Sequence, residues 1–101
     1  MNFIKKLFRP KPNLSKLVHD GAVIIDVRTI EEYNTGHIKG SKNIPLDRIK
    51  KEAAALKKLN KPVVTVCRSG SRSNMAKLIL SNAGIEVHNG GAWTNLENQL
   101  K

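Results

Sequence analysis

Pro62-Val63-Val64-Thr65-Val66-Cys67-Arg68-Ser69-Gly70-Ser71-Arg72-Ser73 is the stretch from which the fold is read. Pro62 to Cys67, with its apolar run Val-Val-Thr-Val-Cys, has the pattern of a short buried strand. After Cys67 the residues become small and polar, with Gly70 in their midst. From Ser73 to Ala83 apolar residues recur at helical spacing, with Met75, Ala76, Ile79, Leu80 and Ala83 expected inward and Gly84 as the stop. A buried strand, a tight loop and an amphipathic helix make one half of a βαβ unit.

The flanking sequence repeats the theme. Upstream, Ala22–Val27 is a second short apolar run and reads as a strand. Before it, Leu14, Leu17 and Val18 have helical spacing between a capping Asn13 and Gly21. After it, Thr29 caps a short helix through Tyr33 that Gly36 ends. Asn43–Leu46 reads as a very short strand stopped by Pro45. Asp47 is the expected cap of the next helix, in which Ile49, Ala53 and Leu56 fall at i, i+4 and i+7, with Lys50, Lys51, Lys57 and Lys58 elsewhere. Downstream of the quoted stretch, Ile85–Val87 is the expected last strand, Gly90-Gly91 a turn and Trp93–Leu100 a final short helix. Alternating strands and helices predict an α/β fold: a small doubly wound parallel sheet of four to five strands with helices on both faces. In such sheets ligands sit beyond the carboxyl ends of the strands, which directs attention to the residues after Val66.

Cys67 is the only cysteine of 101 residues. A lone thiol makes no internal disulfide and fits a reducing compartment. Its setting is unlike that of an inert core cysteine. The loop Arg68, Ser69, Gly70, Ser71, Arg72, Ser73 can curl so that successive backbone N–H groups point inward. The following helix adds free N–H groups and the positive end of its dipole. Two arginines bring fixed positive charge. Each of these favours the thiolate, the nucleophilic form. The same donors would stabilise the outer sulfur of a Cys–S–S⁻ persulfide, as an oxyanion hole stabilises oxygen.

At these residues the chain resembles the rhodanese family. Cys67 through Arg72 is similar to that family's six-residue active-site loop. Val23-Ile24-Ile25-Asp26-Val27-Arg28 followed by Glu31-Glu32-Tyr33 resembles its first block. Gly36-His37-Ile38-Lys39-Gly40-Ser41 with Asn43-Ile44-Pro45 resembles its second, and Asn89-Gly90-Gly91-Ala92-Trp93 its C-terminal turn. The resemblance spans about residues 13 to 100, with the blocks in the family's order. It implies a persulfide on Cys67 and sulfur transfer from a donor such as thiosulfate to a thiophilic acceptor such as cyanide, a thiol or a partner protein. It implies that Arg68 to Arg72 cradle substrate and persulfide, and that Asp26, Arg28 and Glu32 form a polar cluster beneath the loop. Read from the residues alone, Arg28 and Glu32 are also four apart, the spacing of a simple surface pair, and Asp26 at a strand end suits loop support. Ser41 departs mildly from the family, which usually has a small apolar residue there.

Other functions stay open at this level. Cysteine phosphatases and arsenate reductases of similar fold use Cys-x5-Arg, one residue longer than the span from Cys67 to Arg72. Rhodanese-like domains also serve as non-catalytic interaction modules, although those often lack the cysteine. Eighteen Lys and Arg against eight Asp and Glu give a net charge of +10, which attracts small anions and suits an acidic protein partner. No zinc spacing and no aromatic-rich reader accompanies it, so sequence-specific nucleic-acid binding is not expected. His19 and His88 are scattered and His37 lies in a turn block, so neither a metal site nor a cofactor is expected.

Residues 1–12 read as a basic arm separated by Pro10 and Pro12 from a domain at 13–101. Phe3, Ile4, Leu7 and Phe8 share a face there, which suits either a weak membrane-surface contact or a frayed terminus. No apolar stretch has the length of a spanning helix or of a signal-peptide core. The expected state is a cytoplasmic monomer.

Overall fold

The computed structural model describes residues 12–101. The arm expected at residues 1–12 therefore lies outside the described residues except for Pro12. Among the described residues five helices and four strands alternate: α1 Leu14–His19, β1 Val23–Asp26, α2 Ile30–Thr35, β2 Lys42–Asn43, α3 Leu46–Lys58, β3 Val63–Cys67, α4 Ser71–Asn82, β4 Val87–Ala92 and α5 Trp93–Leu100. The strands form one all-parallel sheet in the order β2-β1-β3-β4. After β1 the chain first goes outward to β2, then returns across β1 to β3. The strand order thus reverses between β1 and β3, and Asp26 and Cys67 end those two strands.

The sheet is sandwiched by two apolar layers. On one face Ile25, Val27, Val63 and Cys67 pack with Ile49, Ala53 and Leu56 of α3 and Ala76 and Leu80 of α4. On the other, Ile24, Val64 and Val66 pack with Leu96 of α5, with Leu14 and Val18 of α1 against them. Val63 to Val66 are all fully buried, because alternate residues feed both layers. The doubly wound α/β expectation holds, with four strands.

The local expectations hold at several ends. Asn13 accepts from the Lys16 N–H and caps α1. Thr29 and Glu32 form a reciprocal capping box on α2, which ends at Gly36.

Five details differ. Helix α3 begins at Leu46 after Pro45, and Asp47 sits in its first turn without a capping bond. Its charge still favours the helix N-terminus. Strand β2 is only Lys42–Asn43, although the N–H groups of Ile44 and Leu46 continue the ladder to Asp26 O and Val27 O. Helix α4 begins at Ser71, two residues early, because Gly70 at φ +103° turns the loop sharply. Met75 is 53% exposed, since the inward face of α4 is Ser73, Ala76 and Leu80. The last strand is Val87–Ala92, not Ile85–Val87, so Gly90-Gly91 lie within a strand.

Close packing explains that glycine pair. A Cβ on Gly90 would stand 2.9 Å from Val64 Cγ1 and Val66 Cγ1 and 3.0 Å from Thr65 O. The register slips here: Thr65 faces Asn89, whereas Val66 faces Gly91. Gly90 is the extra residue of a β-bulge.

Candidate active site

Cys67 ends β3 at the switch point, and its side chain is closed over by the loop that follows. Two N–H donors and one hydroxyl, which accepts from the thiol, converge on its sulfur. The Gly70 N–H lies 3.0 Å from Sγ and the Ser73 N–H 3.3 Å. Ser73 Oγ lies 3.3 Å away. Burial pushes the thiol up and is the largest single influence. The Ser73 hydroxyl and N–H, with the N–H groups of Gly70 and Ser69, together outweigh it, so the thiol lies below its ordinary value. Ser73 is itself fixed, its carbonyl accepting from Thr65 Oγ1 at 2.9 Å.

Beneath the loop the three supporting residues come together, in pairs that their spacing does not suggest. Arg28 and Glu32 make no side-chain pair. Arg28 instead grips Asp26 at the end of β1: Nη2 donates to Oδ2 at 2.7 Å and Nε to Oδ1 at 2.9 Å. Both side chains are buried, at 4% and 0% exposure. The remaining donors of Arg28 reach Gly36 O at 2.7 Å and Glu32 O at 3.3 Å, which ties β1 to the end of α2. Its guanidinium also lies 4.7 Å above the Trp93 ring. Asp26 Oδ1 accepts from the Arg28 N–H as well, a strand-end support role.

Glu32 pairs with Arg72 of the loop–helix junction, at 2.7 and 3.0 Å. The Arg72 bonds, first among several, hold the Glu32 carboxyl down at about 2. Glu32 in turn raises Arg72 above its ordinary value. Arg68 and Ser69 are exposed at the rim, and Arg68 makes no ion pair among the described residues. Ser71 is exposed at the first position of α4.

Two asparagines given no role by the sequence belong to this framework. Asn43 Nδ2 donates to Asp26 O at 3.0 Å and to Arg28 O at 2.9 Å. Asn89 accepts from Ser73 Oγ at 2.7 Å and donates to Gly70 O at 3.2 Å. The signal available for Asn89 was an amide side chain immediately before Gly90-Gly91. His37 stacks on Tyr33 and holds its carbonyl at 2.8 Å, away from the sulfur. Among the described residues no group of three or more His, Cys, Asp and Glu is arranged to hold a metal ion. No helix among them is long and apolar enough to cross a membrane.

The geometry is that of a cysteine sulfur seated in inward-pointing N–H groups at a sheet switch point. A family model described as the rhodanese-like domain matches residues 11–94. The chain belongs to the rhodanese family. Among curated relatives it is 42% identical over 74 residues to the thiosulfate sulfurtransferase PspE of Escherichia coli, covering 71% of each protein. It is 41% identical over 63 residues to YrkF of Bacillus subtilis, 62% of this chain, but spans only 34% of that longer protein. Among solved structures it is similar to a rhodanese with anions from E. coli, at 38% identity and a TM-score of 0.68, covering 74% of this chain and 91% of that one. The human single-domain sulfurtransferase TSTD1 matches at 30% identity and a TM-score of 0.64, over 85% of this chain and 91% of that one.

Proposed function

We propose that this rhodanese domain is a thiosulfate sulfurtransferase working through a persulfide on Cys67. The observation that carries the reading is the convergence of the Gly70 N–H, the Ser73 N–H and the Ser73 hydroxyl on one sulfur. The Cys67 thiolate attacks the outer sulfur of thiosulfate. The S–S bond of the donor breaks, sulfite leaves with the electron pair, and Cys67–S–S⁻ remains. An acceptor such as cyanide then attacks the outer sulfur, thiocyanate forms and the Cys67 thiolate is regenerated. No proton need be held by a general base, because attacking and leaving groups are already anions.

The cradle serves both halves of the cycle. When Sγ carries the charge, as attacking or departing thiolate, the donors of Gly70 and Ser73 stabilise it. When the charge moves to the outer sulfur, the remaining loop N–H groups and the exposed Arg68 are the groups expected to stabilise it. The span from Cys67 to Arg72 is one residue shorter than a phosphate-binding loop, which suits sulfur.

Arg68 is the donor-capturing cation in this reading, since Arg72 is committed to Glu32. Thiosulfate is the donor class that a cationic rim favours. The excess of lysine and arginine also suits an acidic protein as acceptor, docked against a monomer. The lone thiol suits a cytoplasmic site of action. Thiocyanate production from thiosulfate and cyanide tests the assignment. Wild type turns over, and Cys67→Ser, which keeps the fold, does not. Full activity in Cys67→Ser would refute the mechanism.

A further inference from the structure

We propose that Asn89 is a positioning residue of the cysteine loop, whose side-chain amide fastens the loop to β4 so that its donors stay aimed at Cys67 Sγ. The contacts use the whole amide. Asn89 Oδ1 accepts from the Gly91 N–H at 2.9 Å and from Ser73 Oγ at 2.7 Å. Asn89 Nδ2 donates to Gly70 O at 3.2 Å. The orientation is fixed by its partners: the Gly91 N–H needs an acceptor and the Gly70 carbonyl needs a donor. The two loop residues that Asn89 holds, Gly70 and Ser73, are the same two whose N–H groups meet the sulfur.

The bulge in β4 puts Asn89 there. One extra residue, Gly90, shifts the register between Thr65 and Val66 and changes the aim of the strand beside the loop. The loop also seats directly on this backbone, because a Cβ on Gly70 would lie 3.4 Å from Gly91 Cα. The Ser73 hydroxyl has one proton and two acceptors within reach. While Cys67 is a thiol, its S–H points to Ser73 Oγ and the hydroxyl proton goes to Asn89. When Cys67 is a thiolate, that proton turns to the sulfur, and Asn89 keeps the loop in place through Gly70 and Gly91.

The charges around the sulfur are few and mostly paired. Asp26 and Arg28 pair at the end of β1, and Glu32 of α2 pairs with Arg72 of α4. Arg68 stands exposed on the loop itself. From Asn89 to Ala92, β4 brings no charged residue to the site, so the influence of Asn89 on the sulfur runs through hydrogen bonds.

The inference rests on Cys67 being the nucleophile, but its test needs no sulfur transfer. The rate of Cys67 alkylation by iodoacetamide is measured against pH in the intact protein. Asn89→Ala should move the midpoint upward by about one pH unit, the scale of one lost hydrogen bond to a charged sulfur. Ser73→Ala should also raise it, and the double variant should rise by less than the sum, because the two residues act through one network. Should Asn89→Ala fail to fold, Asn89→Leu keeps the approximate shape and adds no charge while losing the acceptor for Gly91 and the donor to Gly70, and it should raise the midpoint too. An unchanged midpoint in a folded Asn89 variant, or full additivity with Ser73→Ala, would overturn the proposal. Absence of a persulfide in the wild type would instead count against sulfur transfer and leave the alkylation result standing.

Discussion

Arg72 donates two hydrogen bonds to the Glu32 carboxylate, at 2.7 and 3.0 Å, across 40 residues of sequence. This clamp joins α2 to the first turn of α4, so the cysteine loop is held from below as well as at its ends. It also takes Arg72 out of the pool of cations available to an incoming anion.

The clamp sets a pH dependence. The Glu32 carboxyl is held at about 2, against 4.5 for an ordinary glutamate. A depressed carboxylate contributes stability that is fully present above the unfolded value and is lost as pH falls through the folded one. The stability difference between wild type and Glu32→Gln should therefore be constant above about 4.5 and shrink from there down to about 2. Both side chains are a third exposed, so after solvent screening the plateau should be about 1 kcal/mol. Denaturant unfolding across that pH range measures it. A difference that grows on acidification would contradict the assignment.

Arg68 should govern donor capture. Its exposure limits the effect, so Arg68→Ala should raise KM for thiosulfate by about three- to tenfold with little change in kcat. Arg72→Ala should act differently, weakening the loop clamp and lowering thermal stability. Steady-state kinetics on the two variants separate the roles. A larger rise in KM from Arg72→Ala than from Arg68→Ala would show that Arg72 leaves Glu32 to meet the donor.

Removing Arg28 should be costly to the fold. Asp26 is fully buried and receives four hydrogen bonds from Arg28, three from its side chain and one from its N–H. Arg28→Ala strands that carboxylate and removes the Arg28 donor from Gly36 O. A loss of about 3 to 5 kcal/mol is expected by chemical denaturation. A loss below about 1 kcal/mol would mean that water replaces the Arg28 donors at little cost.

Much of this was legible in the sequence, and the exceptions have physical reasons. Val63 to Val66 and Ile24 to Ile25 are β-branched and buried, so the short apolar runs alone mark them as core strands. Ile49, Ala53 and Leu56 likewise announce the inner face of α3. β4 was hidden because its glycines, which usually punctuate turns, are there to let Gly90 pass against Val64, Val66 and Thr65. Met75 lies one position from Ala76 and four from Ile79, so spacing alone places it inward, but the face of α4 that meets the sheet is centred on Ser73, Ala76 and Leu80 and leaves Met75 exposed. Within the site, Cys67 and its loop stood out by composition. The partners of Arg28 and Glu32 did not, because local spacing suggests a pair at i, i+4 whereas the sheet brings Asp26 to one and Arg72 to the other. Asn89 was invisible for the same reason: its partners Gly70 and Ser73 lie on another strand's loop.

In the proposed cycle sulfur rides on Cys67. The most direct measurement is the intact mass of the purified protein after incubation with thiosulfate, beside Cys67→Ala treated in the same way. A gain of about 32 Da, one sulfur atom, is expected in the wild type only and is removed on adding cyanide. No gain in the wild type with thiosulfate or another sulfane donor, or an equal gain in Cys67→Ala, would contradict that cycle.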